Sequence, residues 1–434
     1  MISSEQWRPT TAHVRAHLGG LVLAIVAVLA RRPDLLVIAT PLICAAVWAA
    51  ILRPKRAVAA RQTIGHRMVR EGEATTWHIM IDDPDDLVDD VAAVIEASAF
   101  TDTEPIDGQV VASLRDDGDE PLAVVVRSTR WGRRRVGPAH IVASSAWAGF
   151  RWESENYADA MTLVTLPLPS TFDASAPAVR SPGLVGVNRS PRPGSGTEFE
   201  SIRPFQPGDR LRRIHWPRSL RTGTLHVTST WAEHDRHVVL FIDAFEEAGE
   251  SEGINGRASS LDISMRAAGA IAEHFISSGD RVELVVLGAR GVQRVPPSAG
   301  YRHLRRLLEV MANVEPANGQ VDDGRMPRGL GESALILMLS PLLSPGARQR
   351  AVTIANHGRA VIVIDCLPTD IAQEDPDDPY VGITWRIELL RRDRDIRRAR
   401  EAGIAVVPWR GPGSLDVVLR DLHRHTRTAV GRRK

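Results

Sequence analysis

"HVVLFIDAFEEAG", His237 to Gly249, decides how the second half of this chain is read. Val238 to Ile242 run without a polar break and end on Asp243. A strand that is apolar on both faces asks to be covered on both faces, as in a parallel sheet flanked by helices. The segments downstream repeat that grammar. "SSLDISMRAAGAIAEHFISSG" (Ser259 to Gly279) reads as a helix with a serine cap and a glycine stop. "RVELVVLG", "SALILMLS", "RAVIVID" and "AGIAVVPW" read as further strands, and "GYRHLRRLLEVMANV", "GARQRAVTIANHG" and "SLDVVLRDLHRHT" as helices. The alternation predicts a doubly wound, Rossmann-like α/β domain over residues 233–434. Ligands of such sheets bind at the carboxyl ends of strands, where Asp243, Ser340 and Asp365 fall.

Immediately upstream lies "FESIRPFQPGDRLRRIHWPRSLRTGTLHV", Phe199 to Val227. Pro207 and Gly208 suit a type II-like turn, with glycine where positive φ is needed. Asp209 is then placed to cap a short helix through Leu211, Ile214 and His215, and "TGTLHVTST" returns as a strand. Arg203, Arg210, Arg212, Arg213, Arg218 and Arg221 offer forked donors to carboxylates, and Trp216 a flat packing surface. Two roles compete: bracing a domain junction, or an external binding surface. The turn and Asp209 tie these residues to local backbone, so bracing is the expectation. His215, His226, His234 and His237 invite a zinc reading, but their spacing matches no common pattern and no cysteine accompanies them. Nor is there a nucleophile elbow, a phosphate-binding loop or a dinucleotide fingerprint.

Further toward the N-terminus, "LGGLVLAIVAVLA" (Leu18 to Ala30) and "LLVIATPLICAAVWAAIL" (Leu35 to Leu52) are charge-free apolar runs, separated by Arg31, Arg32, Pro33 and Asp34. They predict a membrane hairpin over residues 1–60, with helices about 12–30 and 35–52. A secretory leader is the competing reading of the first run, but a second apolar run starts almost at once. Arg8 and Arg15 precede the hairpin, and Arg53, Lys55, Arg56 and Arg61 follow it. The positive-inside rule then puts both ends in the cytoplasm. The expected location is the cell membrane, multi-pass, with membrane lipid around the hairpin and the bulk of the chain cytoplasmic.

Residues 61–166 read as short strands ("TTWHIMI", "GQVVASL", "PLAVVVRS", "RRVGPAHIVAS") with one candidate helix, Leu87 to Ala97. A β-sandwich-like domain is expected. The acidic stretch "DDPDDLVDD" lacks the glycine and terminal glutamate of an EF-hand loop and reads as solvated. Residues 167–232 then join a Pro/Gly/Ser-rich linker to the arginine-rich segment. A chain of 434 residues has room for these several units. Its 54 Lys and Arg nearly cancel 53 Asp and Glu, so no net field draws it to nucleic acid. Two cysteines, Cys44 and Cys366, make no disulfide framework, and the bulk of the chain is expected in a reducing compartment.

This order resembles the family catalogued as domain of unknown function 58, with its membrane hairpin, β-rich segment, signature motif and von Willebrand factor A-like domain. The arginine-rich Pro-Gly-Asp, Trp and Arg run is the most specific likeness, and "RRRVGPAHIVASSAWAGFRW", "SSGDRVELVVLG" and "YRHLRRLLEVM" are similar to the family pattern. The resemblance implies that Arg203, Pro207, Gly208, Asp209, Arg212, Trp216, Arg218 and Arg221 form the signature. It also implies a metal-ion-dependent adhesion site after the first strand, where family members with an intact site carry Asp-x-Ser-x-Ser. That set offers Mg²⁺ hard oxygen ligands. Here Asp243 is followed by Phe245 and Glu247, and Pro341 after Ser340 replaces a later acidic ligand. The site reads as degenerate, with Asp243, Glu247 and Asp365 as the remaining route to a metal.

The expected function is therefore a membrane-anchored, non-catalytic interaction or scaffold protein. The resemblance implies a MoxR-type AAA+ ATPase as its partner, in assembly or maturation of envelope complexes. No cofactor is expected. Two other classes stay open: a Mg²⁺-dependent adhesion-type binding domain with a non-standard ligand set, and a hydrolase at the His-rich junction.

Overall fold

The computed structural model describes residues 6–114, 121–168, 193–206, 209, 211–231, 237–288, 293–317, 334–357, 359, 361–369, 371 and 380–410. It divides into two compact units, Met1–Thr165 and Leu166–Lys434.

The first unit begins with β1 (Arg8–Pro9), α1 (Thr11–Leu29) and α2 (Asp34–Ile51). Thr10 caps α1, its side chain accepting from the His13 N–H at 3.3 Å. Both helices are long and apolar enough to cross a membrane. They cross closely at Gly20, where a Cβ would stand 2.9 Å from Ile43 Cγ1.

Strands follow: β2 (Ala59–Ile64), β3 (Met68–Arg70), β4 (Ala74–Asp82), β5 (Val88–Ala97), β6 (Thr101–Glu104), β7 (Gln109–Ser113), β8 (Leu122–Ser128), β9 (Gly132–Ser145), β10 (Phe150–Ala158) and β11 (Met161–Leu166). One sheet has four strands in the order β2-β4-β8-β6. The other has seven, along β1-β10-β9-β11-β3 with β5 and β7 paired on from β9. Trp77, Ile79 and Val124 of the first sheet share a single apolar core with Val91, Ile141, Trp152 and Leu163 of the second. Trp7, Ala49 and Val58 belong to the same core, so the root of the hairpin is part of the β unit's interior.

The expected helix at Leu87 to Ala97 is instead β5, paired with β9 from Val88 to Ala97. Val88, Val91, Ala93 and Ile95 are buried while Asp90, Ala92 and Val94 are less so, a period of two that suits one covered sheet face. The acidic stretch before it is built into turns. Asp83 accepts from the Leu87 and Val88 N–H groups, each at 2.7 Å, and Asp85 from those of Lys55 and Arg56 at 2.7 and 2.8 Å. These bonds hold the Asp85 carboxyl below its ordinary range.

The second unit opens with β12 (Pro193–Pro204), a 3₁₀ turn (Leu211–Arg213), α3 (Trp216–Thr222) and β13 (His226–Trp231). β12 and β13 pair antiparallel as a two-stranded sheet. Part of the expected linker is therefore a strand. The α/β body then runs β14 (His237–Asp243), α4 (Ser260–Ser277), β15 (Arg281–Leu287), β16 (Gln293–Ser298), α5 (Tyr301–Met311), β17 (Leu335–Ser340), α6 (Pro345–Asn356), β18 (Val361–Asp365), α7 (Val381–Glu401) and β19 (Ala405–Pro408). The expected helix "SLDVVLRDLHRHT" lies outside the described residues.

The six-stranded sheet has the order β16-β15-β14-β17-β18-β19. All neighbours are parallel except β15 and β16. β16 carries Pro296 and Pro297, which lack ladder donors, and it occupies an edge, where that loss is tolerated. Counting outward from β14, the chain first builds toward β16 and then returns to the other side at β17. The order reverses between β14 and β17, so the crevice beyond their carboxyl ends is the natural ligand position of this sheet. α4 is fixed by a capping box: Ser259 Oγ accepts from the Asp262 N–H and Asp262 from the Ser259 N–H, each at 3.1 Å.

Candidate functional site

Two places need building from their residues: the switch point of the sheet and the arginine-rich segment before it.

At the switch point, Asp243 closes β14 and Ser340 closes β17. Both are buried. Ser340 Oγ donates to Asp243 Oδ2 at 2.5 Å, and the Phe245 N–H donates to Oδ1 at 3.1 Å. Ser340 Oγ also accepts the Leu342 N–H at 2.9 Å. Burial pushes the Asp243 carboxyl up to about 6, against the two hydrogen bonds and with the help of the nearby Glu246 charge. Phe245 is buried in the core formed with Leu342 and Ala347. Its backbone and ring lie so near Gly288 that a Cβ there would stand 2.6 Å from Phe245 Cδ1. Gly288 has φ +79°, so glycine meets both the close approach and the left-handed turn.

The other carboxylates point to partners of their own. Glu247 accepts from Ser259 Oγ at the cap of α4. Asp365 pairs with buried Arg392 of α7 and accepts the Leu367 N–H at 3.1 Å. Arg392 Nε in turn donates to the Pro341 carbonyl at 2.7 Å. Asp243, Glu247 and Asp365 therefore do not converge. No group of three His, Cys, Asp or Glu among the described residues is arranged to hold a metal ion. Pro341 instead begins a braced turn. Leu342 adopts φ +57°, and Arg348 Nη1 donates to the Leu342 and Leu343 carbonyls at 3.2 and 3.0 Å. Next to this network burial pushes the Cys366 thiol up to about 12, which leaves it inert.

In the arginine-rich segment the Asp209 N–H donates to the Gln206 carbonyl at 3.0 Å, closing a four-residue turn. Pro207, Gly208 and Arg210 lie outside the described residues. Asp209 does not cap the helix. It takes the fork of Arg203, at 2.6 and 2.8 Å, and the Gln206 N–H at 2.8 Å. The Arg203 fork, first among these contacts, lowers its carboxyl. α3 is capped by His215, whose Nδ1 accepts the Arg218 N–H at 3.2 Å. A left-handed Gly223 ends it at φ +70°. The sequence pointed to Asp209 because aspartate is the commoner cap. The 3₁₀ turn Leu211–Arg213 intervenes, so the helix starts too late for it.

This fold displays the segment. Trp216 is 59% exposed and Leu220, one helical turn on, 81%. Leu211 is 70% exposed and Leu225 also lies open. Arg212, Arg218 and Arg221 of the same segment are exposed as well. The leucines were not singled out from sequence, although the i, i+4 pair Trp216 and Leu220 marks one helix face. The histidines do not meet as zinc ligands. His226 Nδ1 lies 2.9 Å from the Thr224 carbonyl, and His237 is 2.8 Å from Glu283, which Arg294 also holds at 2.6 Å. His234 lies outside the described residues.

Residues 201–399 match the family described as "Protein of unknown function DUF58". Three curated relatives are similar to this chain: Uncharacterized protein Mb1516 of Mycobacterium bovis, and Uncharacterized proteins MT1527 and Rv1480 of Mycobacterium tuberculosis. Each is 26% identical over 195 residues, 43% of this chain and 60% of the relative. The chain thus spans well under two thirds of their length. Among solved structures, the cupredoxin domain of amoB from Nitrosocaldus yellowstonii shows TM-score 0.17 and 10% identity over 28% of this chain and 94% of that one. The Yersinia pseudotuberculosis adhesin InvE shows TM-score 0.17 and 12% identity over 31% and 45%. Likenesses at that score carry no argument.

Proposed function

We propose that this chain, a member of the DUF58 family through residues 201–399, is a membrane-anchored, non-catalytic interaction protein whose second unit docks a protein partner. The observation that carries the reading is the open Trp216 and Leu220 face of α3, in a segment that also exposes Leu211, Arg212, Arg218 and Arg221. Tryptophan and arginine dominate the energetics of protein interfaces. Exposed apolar side chains in a segment of one sign of charge fit a partner surface that is apolar and acidic. The same exposure favours the docking role of the segment over bracing. The hairpin supplies the anchor, with the body of the chain on the cytoplasmic side by its arginine and lysine flanks.

The α/β body supports a von Willebrand factor A-like reading through its strand order and its site at the β14/β17 switch point. We take that site to work without Mg²⁺. Phe245 fills the position of an oxygen ligand, the Asp243 oxygens accept from Ser340 and Phe245, and Glu247 and Asp365 are bound elsewhere. The partner implied by the resemblance is a MoxR-type AAA+ ATPase. Capture from native membranes by the full chain in detergent tests the reading. Wild type should retain a partner that Trp216→Ala together with Leu220→Ala loses, with EDTA making no difference. Capture that survives the double substitution, or that EDTA abolishes, refutes it.

A further inference from the structure

We propose that the root of the hairpin holds an anionic phospholipid, its phosphate between Arg53, His17 and His13 and an acyl chain along the outer faces of α1 and α2. The inference rests on the membrane reading of the hairpin.

A cleft of 530 Å³ opens where α1, α2 and the start of β10 meet. Its polar lining is one-sided: His13 and His17 are one helical turn apart on α1, and Arg53 follows α2. Its other walls are apolar, with Leu18 and Val47 55% and 48% exposed. No carboxylate among the described residues lines it. The two chemistries are also separated along the helices. The cation and the imidazoles lie at the β unit's end, and the aliphatic wall continues into the apolar runs. That is the profile of a headgroup and its chain, and a free anion would have no use for the aliphatic wall.

The polar groups are held in place. Arg53 lies 5.4 Å over the Phe150 ring, and the His13 ring centroid is 4.9 Å from the same ring. Arg53 Nη2 donates to the Trp7 carbonyl at 3.0 Å, which leaves other guanidinium donors for a phosphate. Phe150 itself is buried and immobilised by the pairing of β1 with β10.

A second observation fixes the depth of this cleft. Ala146, Trp147 and Ala148 all adopt left-handed backbone, at φ 54°, 53° and 59°. The turn is held from both sides: the Trp147 N–H donates to Asp89 at 2.8 Å, and Thr10 Oγ1 donates to the Ala148 carbonyl at 2.8 Å. These contacts present Trp147, 71% exposed, beside the first turn of α1. A non-glycine backbone kept in this sparsely populated region, displaying an indole at the end of an apolar hairpin, suits the headgroup layer. The cleft then opens at headgroup depth, where an acyl chain runs onto Leu18 and Val47.

Native mass spectrometry of the full chain, after exchange into equal phosphatidylglycerol and phosphatidylcholine, tests the proposal. Both lipids offer a phosphate, but the trimethylammonium of phosphatidylcholine would stand against Arg53, so wild type should retain phosphatidylglycerol roughly tenfold over phosphatidylcholine. Arg53→Gln and His17→Ala should each bring that ratio toward one. His17 is on the open helix face, so its variant keeps the test valid if Arg53→Gln disturbs the fold. A wild-type ratio near one, or a ratio that neither variant moves, overturns the proposal. Carbonate washing of membranes separates the two layers of the argument. Release of the chain defeats the membrane reading and the lipid site with it, whereas a retained chain with no lipid preference defeats the lipid site alone.

Discussion

Asp243→Asn isolates the ionisation of the carboxyl at the switch point. Burial moves this group from 3.8 up to about 6 in the folded chain. Between those values the folded chain keeps the proton and the unfolded chain has released it. For a carboxyl raised in this way, stability is greatest below the unfolded value, falls as pH rises through the window, and is flat above about 6. A shift of about two units corresponds to about 3 kcal/mol. Asparagine has no charge to desolvate and loses that dependence. It keeps an acceptor for the Phe245 N–H and offers its amide to Ser340, but the Ser340 hydroxyl proton loses its acceptor, at about 1 kcal/mol. The variant should therefore be about 2 kcal/mol more stable than wild type at pH 7.5 and about 1 kcal/mol less stable below pH 4.

The chain has two units, so a single melting curve mixes transitions. Amide exchange in β14 and β17, corrected for the intrinsic pH dependence of exchange, reads the α/β body by itself. The protection difference between variant and wild type should change sign within the window from pH 4 to 6. Parallel curves from pH 4 to 7 would show that Asp243 titrates as it does in the unfolded chain, and the buried network described here would be wrong.

Phe245→Ala should cost about 3–5 kcal/mol by the same exchange measurement, because the ring sits in the core beside Gly288 and Leu342; a loss under about 1 kcal/mol would mean that the ring is not a packing element. Trp216→Ala should leave the Tm within a degree or so of wild type, since the indole is mostly exposed, while lowering partner capture. A marked fall in Tm would return the segment to the bracing role. Deletion of Met1–Arg56 should unfold the β unit, which loses Trp7 and Ala49 from its core and β1 from its sheet; a fully protected β9 in the truncated chain would contradict this. A reporter fused after Lys434 should be active only if it works in the cytoplasm, and activity of a reporter that works only outside would reverse the topology.

The α/β body was legible where burial leaves a simple mark. β17 and β18 are apolar on both faces until their last residue, β14 is so from Val238 to Ile242, and β15 is so beyond Glu283; a strand covered by helices on both sides can be little else. β5 and β16 were not legible for opposite reasons. In β5, Asp89 and Asp90 interrupt the apolar alternation, so the short window fits a helix as well as a strand until its pairing with β9 selects one. In β16, the paired prolines argue against any strand, and only an edge position makes them acceptable. The first decision belongs to a neighbour distant in the chain, the second to the place of β16 at the sheet edge.

The candidate sites divide the same way. That Phe245 has no oxygen to offer is a property of the residue, and it was readable at once. Where Glu247 and Asp365 would point was not. Each carboxylate has the chemistry of a ligand, and each is drawn to a partner well removed in sequence: Ser259 at the cap of α4, and Arg392 on α7. α7 lies between Val381 and Glu401 and is mostly charged, so nothing in its own pattern singles out one buried arginine among exposed ones. Arg392 also reaches the Pro341 carbonyl, so one side chain ties Asp365 to the turn that follows β17. The switch point is thus one connected network: the Phe245 ring packs in the core, a hydroxyl and an amide hold Asp243, and an internal cation takes Asp365. Sequence leaves Asp243, Ser340 and Asp365 as separate polar strand ends, and the structure joins them to Phe245, Pro341 and Arg392 by packing and hydrogen bonds made inside the second unit.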